Sequence, residues 1–329
     1  LDSSQVQAFR LDVNAIGPGE TVDVTSPQDF SQRSGGSVVR IENSNILATD
    51  SGFPVASALR VGAGTIEIDN SFIQTQSAPA ASVIHLSAVD AIAIVGSAVK
   101  TTTFTAVEAG GLQIDAQTLS TDNSVLGSQV GDFGVALGNS GDVDLTARTV
   151  ALTESLVFSS GLNTSGTLPT VTISAGSGGL GLVDTSVINV SDTTGAGGDI
   201  VIRSAGNILL DADASTPFIQ TNTAGALDSG DIRITADGDL AGAGPYQLFS
   251  ITTGSGNAGD IVIAARDVVL SGTDADRLEL SSSTLAAGQA GRIDVDAQAG
   301  LTLSAVDLFT VGGLGAAGAI ALTGEDVSL

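Results

Sequence analysis

The side chains that could do chemistry in this chain are few, and the most regular are aspartates in a recurring turn. The aspartates that follow a glycine and precede an apolar-x-apolar triplet are Asp142, Asp199, Asp231 and Asp260. Stacked repeats would bring these carboxylates together, and Ca²⁺ takes several carboxylate oxygens. The same side chains could instead accept hydrogen bonds from their own turn amides. Arg292 and Ala319 interrupt the series, so we predict turn hydrogen bonding and no metal site.

Three basic side chains form the second candidate group. Arg40, Arg60 and His85 are the middle residues of three apolar-x-apolar triplets, in a chain with 11 Lys plus Arg and one His. We predict that they share one outward column and are the candidate binding residues, for a small anion, an acidic glycan or an acidic partner. The alternative is a set of solvated strand positions, partly neutralised by Glu42 and Glu67.

No catalytic residue is predicted. For His85 to act as a base it would need a nucleophile beside it, and we find no adjacent Ser or Cys in the sequence. We therefore predict that the chain is not an enzyme and carries no cofactor.

A repeat positions all of these side chains. A turn of glycine and a small polar residue leads into an apolar-x-apolar triplet about every thirty residues, which is the mark of a repeat architecture. About eleven such triplets open successive periods, from Val39-Arg40-Ile41 to Ile320-Ala321-Leu322. Each period holds three short runs that alternate with period two, as strands do.

Three short strands per period predict one coil of a parallel β-helix. We predict an all-β fold, a right-handed parallel β-helix solenoid of about eleven coils. The right hand is preferred because the strict hexapeptide rhythm typical of left-handed β-helices is absent. A β-sandwich or a propeller is the alternative fold.

The predicted organisation is one continuous body. Residues 1–35 form an N-terminal cap or an irregular first coil, and residues 36–329 form a single solenoid. The solenoid is expected to be open at its C-terminal end, where the chain stops within a second strand. We expect ligand-binding loops at 153–169 and 237–247, stacked core phenylalanines in the third strands, and outward Ser and Thr beside them.

Composition excludes several functions. A net charge of −25 disfavours binding to nucleic acid and to anionic membrane surfaces. The chain has no Cys for a disulfide framework or thiolate chemistry. No stretch has the roughly 18 apolar residues of a membrane helix, and the absence of Met indicates a processed protein or part of a longer one.

The Gly-Asn-Ala-Gly-Asp-Ile phrase at 256–261, with its relatives at 197–202 and 229–234, resembles the filamentous-haemagglutinin-like exoproteins. The likeness is to the cyanobacterial branch and covers about residues 138–329. It implies a right-handed β-helix exported by two-partner secretion, although the Asn-Pro-Asn-Gly signature of that family's secretion domain is missing. The resemblance implies no catalytic residue.

These observations together predict a structural protein of the extracellular space or the cell surface. We expect an adhesin-type shaft, or a filament subunit that assembles end to end. A glycan- or protein-binding adhesin module is the alternative, and a polysaccharide-acting β-helix enzyme is less favoured. The expected partners are the chain itself or a host-cell or matrix surface, without nucleic acid or membrane insertion.

Overall fold

The computed structural model describes residues 5–8, 21–25, 38–49, 58–77, 81–104, 108–131, 138–161, 168–191, 195–213 and 216–329. This part of the chain is all-β, and its parallel sheets stack as a β-solenoid of about nine turns. The fold class is therefore confirmed, while the right-handed sense and the eleven coils stay predictions. Among the described residues, no helix is long and apolar enough to cross a membrane.

The first and second strands of the coils share one sheet, which we call the large sheet. Its 18 strands are β1 (Gln5–Ala8), β2 (Thr21–Thr25), β3 (Val38–Glu42), β5 (Ala58–Asp69), β7 (Val83–Val95), β9 (Leu112–Asp122), β11 (Val143–Thr153), β13 (Val171–Val183), β15 (Ile200–Ser204), β16 (Ile208–Asp211), β18 (Ile232–Ala236), β19 (Leu240–Ala243), β21 (Ile261–Ala265), β22 (Val268–Ser271), β24 (Ile293–Ala297), β25 (Gly300–Ser304), β27 (Ile320–Thr323) and β28 (Asp326–Ser328).

The third strands form a separate sheet, which we call the ten-stranded sheet. Its members, in stacking order, are β4 (Asn45–Thr49), β6 (Phe72–Ser77), β8 (Ala98–Thr103), β10 (Val125–Val130), β12 (Leu156–Gly161), β14 (Ser186–Ser191), β17 (Phe218–Thr223), β20 (Gln247–Thr252), β23 (Leu278–Thr284) and β26 (Val306–Gly312).

The predicted three strands per coil are confirmed, with one variation along the chain. From β5 to β13 the first two strands run together as one strand of up to 13 residues. From β15 onward a bend separates them, as at Ala205 and Gly206. Every strand pairs in parallel with its counterpart in the next coil, for example Ile261 with Ile293.

The segment 1–35 lies outside the described residues except for β1 and β2. β1 pairs in parallel with β3, and β2 pairs in parallel with the first part of β5. The division into residues 1–35 and 36–329 stays a prediction.

Buried aliphatic side chains stack from coil to coil and form columns in the interior of the solenoid. In the triplet 261–263 the two isoleucines are fully buried, whereas Val262 between them is partly exposed. Period-two alternation places these side chains inside, because successive residues of a strand face opposite sides. Each buried aliphatic side chain contributes roughly 1.5–3 kcal/mol to stability.

The predicted core phenylalanines are wrong. Phe72, Phe158, Phe218 and Phe249 are partly exposed and Phe309 is 44% exposed, because all five lie on the outer face of the ten-stranded sheet. Their neighbours in sequence, such as Val157 and Leu248, point inward. The third strands therefore have the opposite phase to the one expected.

The prediction of outward Ser and Thr in the third strands is wrong at alternate positions. These strands contribute a fully buried polar column, formed by Thr75, Thr101, Ser128, Ser159, Asn189, Thr221, Ser250 and Ser282. Ser250 Oγ donates to Gly230 O at 3.0 Å and accepts from Gly259 N at 2.7 Å. Ser282 repeats this with Gly259 O at 2.9 Å and Gly291 N at 2.8 Å. Each of these two hydroxyls thus joins the opening turns of two successive coils.

Glycine in those turns is required by close approach. A Cβ atom on Gly259 would lie 2.1 Å from Gly230 O, and one on Gly291 would lie 2.2 Å from Gly259 O. Real side chains do not tolerate such distances, so the backbones of successive turns touch only because no side chain intervenes. This contact explains the glycine that precedes the apolar triplet in so many repeats.

The corner between second and third strands uses a different device. Asn43, Asn70 and Asn123 have positive φ, which asparagine tolerates better than most residues. The serine that follows each of them is buried and hydrogen-bonds to the next coil, as in Ser71 N to Ser97 Oγ at 3.0 Å. The turn is thereby held in register from coil to coil.

The predicted ligand-binding loops at 153–169 and 237–247 include strands, and residues 162–167 of the first lie outside the described residues. The first stretch contains β12 and the second contains β19. Tyr246 is fully buried and its hydroxyl donates to Thr185 O at 2.5 Å. Burial raises the pKa of this phenol above its ordinary value, so Tyr246 fills the core and is not available on the outside.

We predict that Ser250→Ala lowers the free energy of unfolding by about 1–3 kcal/mol, because Gly259 N loses its buried acceptor. The matched control is Ser174→Ala, which alters a partly exposed serine of β13 and should change stability by less than about 0.5 kcal/mol. Thermal and urea denaturation of both variants provide the measurement. Equal stability losses in the two variants would contradict the bridging role of Ser250.

Candidate functional site

The three predicted binding residues do not form one column. Arg40 lies on β3, a second strand, and is in register with Glu67 of β5. Its guanidinium lies 2.6 Å from Glu67 Oε2 and 3.3 Å from Glu42 Oε1. The hydrogen bond and charge of Glu67 raise the pKa of Arg40 above its usual value. The triplet 39–41 is therefore not an opening strand, and Arg40 is neutralised as the alternative interpretation expected.

Arg60 and His85 do lie side by side. The register places Arg60 of β5 beside His85 of β7, and His85 beside Gln113 of β9. Arg60 is exposed, and no ion pair of its guanidinium is found in the described part of the chain. The same column continues to Asp144 of β11.

A carboxylate holds the imidazole in place. His85 Nε2 lies 3.0 Å from Asp115 Oδ2, and Gln113 Nε2 donates to the same oxygen at 2.8 Å. Both the His85 and the Asp115 side chains are about one-third exposed. Ser87 also faces outward on β7, but between these two described residues no hydrogen bond joins Ser87 to His85.

Asp144 completes this surface from the next coil. Burial is the main cause that raises the pKa of Asp144, and the negative charges of Asp142 and Asp115 add to it. A hydrogen bond from the Thr172 side chain acts in the opposite direction. Ionisation of Asp144 is therefore less favourable in the folded protein than ionisation of a free aspartate.

Together these residues line a shallow depression of about 380 Å³ on the outer face of the large sheet. We call it the polar depression, and its charged and amide side chains are Arg60, His85, Glu108, Gln113, Asp142 and Asp144. It presents hydrogen-bond donors and acceptors, and both basic and acidic side chains, on a rigid sheet surface. Such a set can hydrogen-bond a polar ligand, for example the hydroxyl groups of a sugar.

Gln113, Asp115 and Asp144 were missed by the sequence interpretation. The signal was present, because Gln113 and Asp144 are the middle residues of the next two opening triplets. Asp115 lies two residues after Gln113 and so on the same face of the strand. Arg40 does not belong to this column, because its triplet is a second strand.

The turn aspartates form a ladder of hydrogen bonds between coils. Asp199 Oδ1 accepts from Asp231 N at 2.8 Å, Asp231 Oδ1 from Asp260 N at 2.8 Å, and Asp260 Oδ1 from Arg292 N at 2.7 Å. The amide belongs to the next coil and not to the aspartate's own turn, which corrects the expected hydrogen bond. Within the described residues, no three His, Cys, Asp or Glu side chains are arranged to hold a metal ion.

Comparisons of this chain with protein-family models, with curated proteins and with solved structures find no match. The fold and the polar depression are thus the observations on which a functional proposal can rest.

We predict that Asp144→Asn raises the melting temperature at pH 7. The folded pKa of this group is raised, so its ionised form costs stability at every pH above its folded pKa, and the cost disappears below its unfolded pKa. The stabilisation should therefore be present at pH 7 and absent near pH 3.

The matched control is Asp296→Asn, which removes the same charge from an exposed position on the outer face of β24. Differential scanning calorimetry at both pH values measures the effect. A gain at pH 7 that is no larger for Asp144→Asn than for Asp296→Asn would contradict the assigned burial and carboxylate repulsion.

Proposed function

We propose that this chain is a structural β-solenoid rod of the extracellular space or the cell surface. It serves as an adhesin-type shaft, or as the subunit of a filament that assembles end to end. The resemblance to filamentous-haemagglutinin-like exoproteins is part of this proposal, as is export by two-partner secretion. Its partners are further copies of the chain or a host-cell or matrix surface.

The observation that carries the proposal is the unbroken stack of coils. In the described part of the chain, successive coils are joined by backbone ladders in the large sheet and, from β4 to β26, in the ten-stranded sheet as well, and aliphatic columns fill the interior from Val39 to Leu303. A body built in this way is stiff along its axis, because bending it would break hydrogen bonds on one side. Stiffness and reach are what a shaft requires.

The charge distribution supports the same proposal. The charged side chains of the opening triplets, such as Arg60, Asp144 and Arg233, project to the outside. A net charge of −25 keeps such a surface soluble and resistant to non-specific association.

The polar depression favours a second candidate function, a glycan- or protein-binding module of an adhesin. Arg60, for which no ion pair is found among the described side chains, lies beside an imidazole and several hydrogen-bonding groups, and this set suits an acidic sugar or an acidic peptide. A polysaccharide-acting enzyme is less favoured. Sugar clefts normally add Trp or Tyr platforms, whereas this chain has no Trp and its one Tyr is buried.

Electron microscopy with sedimentation across concentration tests the proposal. The shaft form predicts stiff rods of roughly 45 Å that do not lengthen with concentration, from about nine turns stacked at about 4.8 Å. The filament form predicts long filaments with an axial repeat near one rod length. Flexible or globular particles would contradict both forms.

The second candidate function has its own measurement. An array of acidic glycans, probed with the wild type, Arg60→Ala and Arg233→Ala, should show binding that only Arg60→Ala reduces, by at least tenfold. Arg233 lies in the same outward column but pairs with Asp231 at 2.5 Å, far along the solenoid. Equal losses in both variants would show non-specific charge attraction and remove this candidate.

A further inference from the structure

The outer face of the ten-stranded sheet carries a patch of large apolar side chains among uncharged polar ones, such as Gln220 and Gln247. We call it the apolar face. Large side chains follow one another on consecutive strands, among them Leu156, Phe158, Ile188, Val190, Phe218 and Phe249, and all are partly exposed. Phe218 and Phe249 are in ring contact, with centroids 6.2 Å apart. A contiguous exposed apolar patch is a common mark of an interaction site.

Charge is nearly absent from this face. Its outward described residues include three charged side chains, Lys100 on β8, Glu279 on β23 and Asp307 on β26. Asp307 is paired with Arg277 at 2.8 Å. In a chain with a net charge of −25, a face so free of carboxylates is one on which two copies can approach without strong repulsion.

The apolar face also has a depression and a projecting ring. Gly127 of β10 has no side chain, and a Cβ there would lie 2.4 Å from the Phe158 ring, which leans over it. The adjoining depression has a volume of about 490 Å³ and extends from Lys100 on β8 past Phe158 to Ile188 on β14. Four strands further along, Phe249 of β20 occupies the same column as Gly127.

We propose that the apolar face binds the same face of a second copy, with the two solenoid axes antiparallel. The twofold axis lies in the interface between the two copies and runs parallel to β14. A twofold axis along the strands keeps each column opposite itself and reverses the order of the coils. Ile188 then faces Ile188 of the other copy. This inference does not depend on the proposed function.

One register brings aromatic rings and oppositely charged side chains of the two copies together. When β14 faces itself, β10 faces β20, because each lies two strands from the centre. Phe249 of one copy then lies opposite Gly127 of the other, where it meets the Phe158 ring that leans over this glycine. In the same register β8 faces β23, so Lys100 lies diagonally opposite Glu279, one column away.

The two charged side chains are suited to such a pair. Lys100 Nζ lies 5.4 Å from the centre of the Phe72 ring, on an apolar surface. Burial raises the pKa of Glu279, and the charge of Asp307 adds to this. A cation from a second copy would stabilise the Glu279 carboxylate that its own surroundings disfavour.

The size and the repeat of the face fit a second copy. Nine overlapping strands at about 4.8 Å and three outward columns give about 800 Å² per copy, the size of a standard protein interface. The strands of a second apolar face have the same spacing, so the two faces stay in register over the whole length. Sheets packed face to face in this way lie about 10 Å apart.

Sedimentation equilibrium over about 1–100 µM tests the proposal, a range set by the affinities of interfaces of this size. The wild type should be a dimer, and Phe249→Asp should raise its dissociation constant at least tenfold. Val262→Asp places the same charge on the outer face of the large sheet and should leave the dimer intact. Circular dichroism confirms that each variant is folded.

Charge reversal tests the register. Lys100→Glu should weaken the dimer, and adding Glu279→Lys in the same chain should restore it. The chain has no Cys, so Ile188→Cys gives a single thiol that a short bis-maleimide should cross-link into dimers. Val201→Cys, outward on β15, is the control that should not cross-link.

Several results would overturn the proposal. A wild type that stays monomeric over the whole range would do so, and binding of that monomer to lipid vesicles would assign the face to a different occupant. A dimer or filament that Phe249→Asp leaves unchanged would show that another surface associates. Failure of the double charge reversal to restore the dimer, with no Ile188→Cys cross-link, would overturn the antiparallel register.

Discussion

The spacing between coils is the constraint on which the rest of this structure depends. Parallel strands hydrogen-bond at about 4.8 Å, so each residue lies directly above its counterpart in the preceding coil. At the opening turn this leaves no room for a side chain, which is why Gly259 and Gly291 lie against the carbonyl groups below them. Everything else in a coil has to be compatible with a copy of itself one strand away.

Because equivalent residues of successive coils lie above one another, the polar groups of one coil find their hydrogen-bond partners in the neighbouring coils. A buried hydroxyl meets a turn carbonyl on one side and a turn amide on the other, as Ser250 does. The turn aspartates accept from amides of the next coil instead of gathering around an ion. Both ladders use side chains to continue the backbone hydrogen bonding through turns that a plain sheet would leave unsatisfied.

The two sheets present different surfaces to the outside. The large sheet carries the polar depression, in which Arg60, His85, Gln113 and Asp144 come from four successive coils. The ten-stranded sheet carries the apolar face and few charges. A rod with one polar and one apolar side can bind a ligand on the first while a second copy covers the other, since the two sheets form different sides of the coil.

The sequence by itself determined the strands, the all-β class and the three-strand coil, because period-two alternation and the Gly-Asp turn are local signals. It also contained the column from Arg60 to Asp144, once the opening triplets were aligned correctly. The tertiary structure decided which triplet opens the first coil, since Val39-Arg40-Ile41 looks like an opener and pairs as a second strand. It also decided the phase of the third strands. Phe218-Ile219-Gln220-Thr221 alternates equally well with either face inward, and only the corner turn and the stacking of coils place Ile219 and Thr221 inside and Phe218 outside.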